Sequence, residues 1–149
     1  NGRQTPDPPI PLERRTTMAK AKILVVDDDT DFVFFTKTIL EQAGYEVVSA
    51  SNGSQGKAVL AREKPGLVIV DVIMSSVLDG VAMSRFMRED RSYRDIPIVM
   101  VTSVANTDYS SLFPSDENIG IDALLTKPIK PAALTEKVEE LLSKRGGMQ

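Results

Sequence analysis

From Lys22 onward, short aliphatic runs alternate with longer amphipathic stretches. The runs are KILVV at 22–26, YEVVSA at 45–50, LVIV at 67–70, IPIVMV at 96–101 and DALL at 122–125. Their aliphatic and β-branched content, their shortness and the turn formers around them predict buried strands. Between them, residues 31–43 place Phe32, Phe35, Ile39 and Ala43 at helical spacing toward a core, with Thr30 as cap and Gly44 as stop. Val33 and Phe34 widen that apolar surface beyond one stripe and read as extra core packing. A weaker helix is predicted over 53–64, stopped by Pro65. A third covers 79–90, with Val81, Ala82, Phe86 and the methionines as its apolar set. A last helix spans 131–144, with Pro131 in its first turn and a stripe of Leu134, Val138, Leu141 and Leu142. Residues 106–120 (NTDYSSLFPSDENIG) break the pattern. Sparse apolar positions and Pro114 predict a long loop or degraded helix where a fourth crossover helix belongs.

Strands alternating with crossover helices imply an α/β fold, a parallel sheet with helices on both faces. In such sheets ligands bind outside the carboxyl ends of the strands. The polar residues delivered there are Asp27, Asp28, Asp29, Asp71, Thr102, Ser103 and Lys127. Singly, each has an ordinary reading: an aspartate after a strand caps a turn or helix, and Lys-Pro makes a turn. Their coincidence on one rim sets them apart.

Composition narrows the chemistry. The 149-residue chain has room for one ordinary domain. With no cysteine and no histidine, disulfides, thiolate metal sites, cysteine nucleophiles and histidine bases are all excluded. A net charge of -3 lacks the basic footprint of a nucleic-acid binder, and the mixed-sign run over 85–95 reads as a solvated helix face. No apolar run approaches the roughly 20 residues needed to cross a bilayer. The expectations are a cytoplasmic protein, no nucleic acid and no membrane.

Carboxylates converging on one rim repel one another unless a cation joins them, and hard oxygen donors suit Mg²⁺. Lys127 and Thr102 would add a positive charge and a hydroxyl donor. That set suits a phosphoryl group, with an already ionised carboxylate as nucleophile.

The motifs ILVVDDD, LVIVDVIM, PIVMVTS and LLTKPI, in this order and spacing, resemble the receiver domains of two-component response regulators over about residues 21–143. The resemblance implies a flavodoxin-like, doubly wound, five-stranded sheet of order 2-1-3-4-5. It implies Asp71 as phosphoacceptor, taking a phosphoryl group from a sensor histidine kinase or phosphotransfer protein. Asp28 would bind Mg²⁺ directly, Asp27 through water, with Asp71 and the backbone carbonyl of Ile73 as further ligands. Thr102 would hydrogen-bond the phosphoryl group, Lys127 would pair with one of its oxygens, and Pro128 would hold the loop through a cis bond. Asp29 falls past the acidic pair and opens the first helix. Such a domain is no enzyme in the ordinary sense and assists only its own phosphorylation and dephosphorylation. Docking of the kinase or phosphotransfer protein near the first helix is also implied.

The chain departs from the family pattern in several places. The loop after Asp71 has Ser75 in place of proline and one extra residue before Asp79-Gly80. The switch position three residues before Lys127 is Leu124, which cannot make an aromatic rotation. Ile73 and Val104, which flank the phosphoryl group in the family, are aliphatic and cannot orient an attacking water. A comparatively long-lived aspartyl phosphate is expected, and a half-life of seconds would contradict it.

Two rivals remain. A pseudo-receiver would bind partners without being phosphorylated. A carboxylate-nucleophile phosphohydrolase would need a second acid at Ile73 and a cap domain. Residues 1–17, with Pro6, Pro8, Pro9 and Pro11, read as a disordered or appended leader, and residues 18–149 as the receiver domain. Past the last helix no output domain is present, so the chain reads as a stand-alone receiver or part of a longer protein.

Overall fold

A computed structural model describes residues 21–71, 79–102 and 121–147. Five strands, β1 (Lys22–Val26), β2 (Glu46–Ala50), β3 (Leu67–Asp71), β4 (Ile98–Thr102) and β5 (Ala123–Thr126), form one sheet. All neighbours pair in parallel, in the order β2-β1-β3-β4-β5. Helices α1 (Thr30–Gln42), α2 (Gly53–Glu63), α3 (Asp79–Glu89) and α4 (Pro131–Gly147) complete the described elements. The predicted parallel α/β sheet is therefore present. The predictions for residues 1–17, for the loop holding Ile73 and Ser75, for Val104 and for residues 106–120 lie outside the described residues.

The inner strands β1, β3 and β4 read as nearly continuous aliphatic runs because both of their faces are covered. Ile23, Val25, Leu67, Ile69, Val99 and Val101 point to one face, where they meet Phe32 and Leu40 of α1 and Leu134, Val138 and Leu141 of α4. Leu24, Val26, Val68, Val70 and Ile98 point to the other, against Val59 and Leu60 of α2 and Met83 and Met87 of α3. A one-residue slip of β3 would swap Ile69 and Val70 between these cores, so the pairing Val25↔Ile69 and Ile69↔Val99 is strongly specified. Chain direction reverses between the β1-to-β2 and β2-to-β3 crossovers. Right-handed crossovers then set α1 on one face and α2 with α3 on the other.

The structure corrects several local expectations. Asp29, not Thr30, caps α1: its side chain accepts from the backbone N–H groups of Asp31 and Phe32 at 3.0 and 3.2 Å. The fully buried positions of α1 are Phe32, Thr36 and Leu40, and Val33, Ile39 and Ala43 pack half-buried against the same core, as expected. Phe35 stands at the surface with its ring tilted against Phe32, and Phe34, expected in the core, is 72% exposed. In α3, Val81, Met83, Ser84 and Met87 are buried and Phe86 packs half-buried against the core, as expected, while Ala82 is exposed. Gly44 does stop α1, at φ 102°, with its N–H donating to Glu41 O.

The charged run over 85–95 is not wholly solvated either. Arg88 turns inward, donating from Nη1 to the carbonyls of Arg94 and Ile96 at 2.8 and 2.9 Å and from Nη2 to Asp122 at 2.9 Å. Burial pushes the Arg88 guanidinium down from its ordinary value, opposed by Asp122. The same Asp122 oxygen accepts the N–H of Ile98 at 2.8 Å, tying the start of β4 to the chain entering β5.

Candidate functional site

β1 and β3 are adjacent in the sheet, and the chain leaves β1 toward β2 on one side while β3 lies on the other. Their carboxyl ends therefore open onto the crevice where strand order reverses. The aspartates stand there. Asp27 follows β1 directly, with its N–H donating to Ala50 O at 3.0 Å, and is 2% exposed. Asp71 is the last residue of β3 and 6% exposed. Asp28 is exposed. One carboxylate oxygen from each of Asp27, Asp28 and Asp71 lies within 4.8 Å of the others.

Such crowding of hard oxygen donors, two of them on buried side chains, fits a divalent ion of the Mg²⁺ kind. Ile73, the fourth expected ligand, lies outside the described residues. The close approach of α3 needs Gly80, because a Cβ there would collide with the Asp71 carbonyl oxygen.

Lys127 reaches this pocket from the end of β5. Its N–H donates to Thr102 O at 2.7 Å, and the following bond to Pro128 is cis, as expected. Its Nζ donates to Asp27 Oδ2 at 3.1 Å and stands 3.8 Å from Asp71 Oδ2 and 4.0 Å from Asp29 Oδ2. Thr102 closes β4 and is 3% exposed. Asp27, Asp28, Asp71 and Lys127 are thus one cluster, with Thr102 joined to it through the backbone of Lys127.

Asp29, which the sequence places on the rim and the resemblance gives to helix opening, also contributes charge beside Lys127. Phe32 has no place on the rim in the sequence pattern. Phe32 was assigned only to the core, yet its ring lies under the Lys127 ammonium, 4.2 Å from Nζ to the ring centroid. The available signal was position: Phe32 sits in the first turn after the Asp29 cap, where a helix begins at the rim.

This arrangement accompanies a clear kinship. A family model of the response regulator receiver domain matches residues 23–139. The chain belongs to the receiver family. It is 34% identical over 125 residues to "Probable transcriptional regulator ycf27" of Porphyridium aerugineum, covering 84% of this chain and 49% of that protein. It is 31% identical over 129 residues to "Phosphate regulon transcriptional regulatory protein PhoB" of Pseudomonas aeruginosa, covering 87% and 55%. A CheY-like response regulator receiver domain protein from Methanospirillum hungatei superposes with a TM-score of 0.74 at 32% identity, over 86% of this chain and 98% of that one.

The receiver order 2-1-3-4-5 is the order observed. The chain spans about half the length of the curated relatives it matches. Their names, as transcriptional regulators, limit the expectation of no nucleic-acid partner to this chain's own acidic balance. No helix among the described residues is long and apolar enough to cross a membrane.

Proposed function

We propose that this receiver domain is a phosphorylation-controlled signalling module in which Asp71 accepts a phosphoryl group from a histidine kinase or phosphotransfer protein. The observation that carries this reading is the convergence of Asp27, Asp28 and Asp71, with Lys127 Nζ 3.8 Å from Asp71. An Asp71 carboxylate oxygen attacks phosphorus as the bond to the donor nitrogen breaks, and the imidazole leaves with that electron pair. Asp27 and Asp28, with Asp71 and the Ile73 carbonyl, are the residues that would hold Mg²⁺. When bound, the ion neutralises charge on the phosphoryl oxygens and lets the anionic donor approach the acidic pocket.

Lys127 is already held at the pocket and exchanges its hydrogen bond from Asp27 to a phosphoryl oxygen. The Thr102 hydroxyl donates to another. The domain acts on itself alone, in the cytoplasm, and the phosphorylated state changes its partner interactions. Leu124 is 47% exposed on β5, so output does not run through rotation of an aromatic at that place. The domain extends over 18–149, with residues 1–17 as leader.

The test is intact mass after incubation with a small phosphodonor such as acetyl phosphate. Wild type with Mg²⁺ gains one phosphoryl group, while Asp71→Asn, or wild type with a chelator, gains none. An unmodified wild type would favour a pseudo-receiver that binds partners without phosphorylation.

A further inference from the structure

We propose that Phe32 is a positioning residue for phosphoryl transfer, holding the Lys127 ammonium on its ring face. The inference rests on the reading of Asp71 as phosphoacceptor and adds a residue to its machinery. The geometry is specific. Lys127 Nζ lies 4.2 Å from the Phe32 ring centroid while donating to Asp27 at 3.1 Å and standing within 4.0 Å of Asp71 and Asp29. The ring itself is fixed: Phe32 is 8% exposed, belongs to the core between the sheet and α1, and its N–H is held by the Asp29 cap at 3.2 Å. The Lys127 side chain is 16% exposed, so little water competes for the ammonium.

An aromatic face attracts a cation through its quadrupole without supplying a hydrogen-bond acceptor. That distinction matters here. A fourth carboxylate or a carbonyl would bind lysine protons that the phosphoryl oxygens need. An aliphatic side chain would pack equally well and attract nothing. On the ring face, Lys127 can give up Asp27 for a phosphoryl oxygen without leaving the pocket, so part of the cost of ordering a long, flexible side chain is met before the donor arrives.

The experiment replaces Phe32 alone with mono-, di- and trifluorinated phenylalanine. These side chains have nearly constant size and a progressively weaker ring-face potential. Phe32→Leu and Phe32→Tyr complete the series. Two quantities are read: the rate of phosphorylation by acetyl phosphate with Mg²⁺, and the proton shift of the Lys127 ε-methylene. The rate is expected to fall in step with fluorination, by about three- to tenfold for the trifluoro and leucine variants, and to stay within about twofold in Phe32→Tyr.

The ε-methylene signal, displaced upfield by the ring in wild type, is expected to relax toward the free-lysine position in Phe32→Leu. A purely packing role would change thermal stability in Phe32→Leu but leave the rate flat across the fluorinated series, and a flat series overturns the proposal. If the leucine variant fails to fold, the near-isosteric fluorinated series decides. If wild type accepts no phosphoryl group, the phosphoacceptor reading fails by itself. The Lys127 signal then still decides: an ε-methylene shift no further upfield with phenylalanine than with leucine overturns the contact.

Discussion

Lys127 Nζ hydrogen-bonds Asp27 Oδ2 at 3.1 Å, although the two residues are 100 positions apart in the chain. This bond joins the end of β5 to the end of β1 across the crevice. It supplies a built-in cation to a pocket of carboxylates, two of which are almost fully buried.

Removing that cation exposes what it balances. Lys127→Met keeps the length and apolar stem but removes the ammonium that faces both Asp27 and Asp71. We expect a loss of about 2–4 kcal/mol in metal-free buffer, because an ion-pair member left alone in a buried site is costly. Mg²⁺ should restore most of it, so the rise in Tm on adding Mg²⁺ is larger in the variant than in wild type. Thermal unfolding with and without the ion measures this; equal rises in the two proteins would contradict it.

Thr36 is fully buried in α1, and its hydroxyl has no hydrogen-bond partner among the described residues. Thr36→Val replaces that hydroxyl by a methyl of the same shape and removes an uncompensated desolvation. A gain of about 1 kcal/mol in urea unfolding is expected. Thr36→Ser, which keeps the hydroxyl and loses the methyl, should lose a similar amount.

Arg88 serves two backbone carbonyls and Asp122 at once. The ammonium of lysine cannot reproduce this planar fork. Arg88→Lys should cost about 1–3 kcal/mol by urea unfolding. Because Asp122 also accepts from Ile98, Asp122→Ala should be costly as well. The double variant should lose less than the sum, the sign of direct coupling.

The pH dependence has two limbs. The hydrogen bond from Lys22, followed by that from Arg62, holds Glu63 below its ordinary value of 4.5. A lowered folded-state value means stability that is present above about pH 4.5 and lost as pH falls through the folded value. Glu140, lowered chiefly by its hydrogen bond from Lys137, acts in the same direction. Lys22 is raised by that bond to Glu63 against the opposing effect of burial, and Tyr45 is raised by burial with Glu139 adding to it. Raised values mean stability that is full below the ordinary values of 10.5 and 10.0 and lost as pH climbs through the folded ones. Urea midpoints should therefore fall at both extremes. Glu63→Gln should soften the acid limb and Tyr45→Phe the alkaline one.

These residues also show where the sequence was legible. The inner strands are readable because burial on both faces leaves unbroken aliphatic runs such as LVIV at 67–70, which few other structures tolerate. The rim followed from topology: in a parallel sheet every strand end faces one way, so Asp27, Asp71, Thr102 and Lys127 were bound to meet. Finer choices were degenerate. Asp29 and Thr30 are both good caps, and only the backbone geometry selects Asp29. Phe35 fits a helical stripe as well as Thr36 does, and the phenylalanine is the more apolar of the two. Arg88 looks like its charged neighbours in sequence because it bonds to backbone carbonyls and to Asp122, which is remote in the chain. The ring of Phe32 beneath Lys127 depended on the same long-range closure.

The most direct test of the central claim is to trap the acyl phosphate where it forms. The protein is treated with acetyl phosphate and Mg²⁺, reduced with borohydride, digested and mapped by mass spectrometry. Reduction turns an aspartyl phosphate into homoserine, and the conversion is predicted at Asp71 alone. Homoserine at Asp27 or Asp28 instead, or at none of the three, would contradict it.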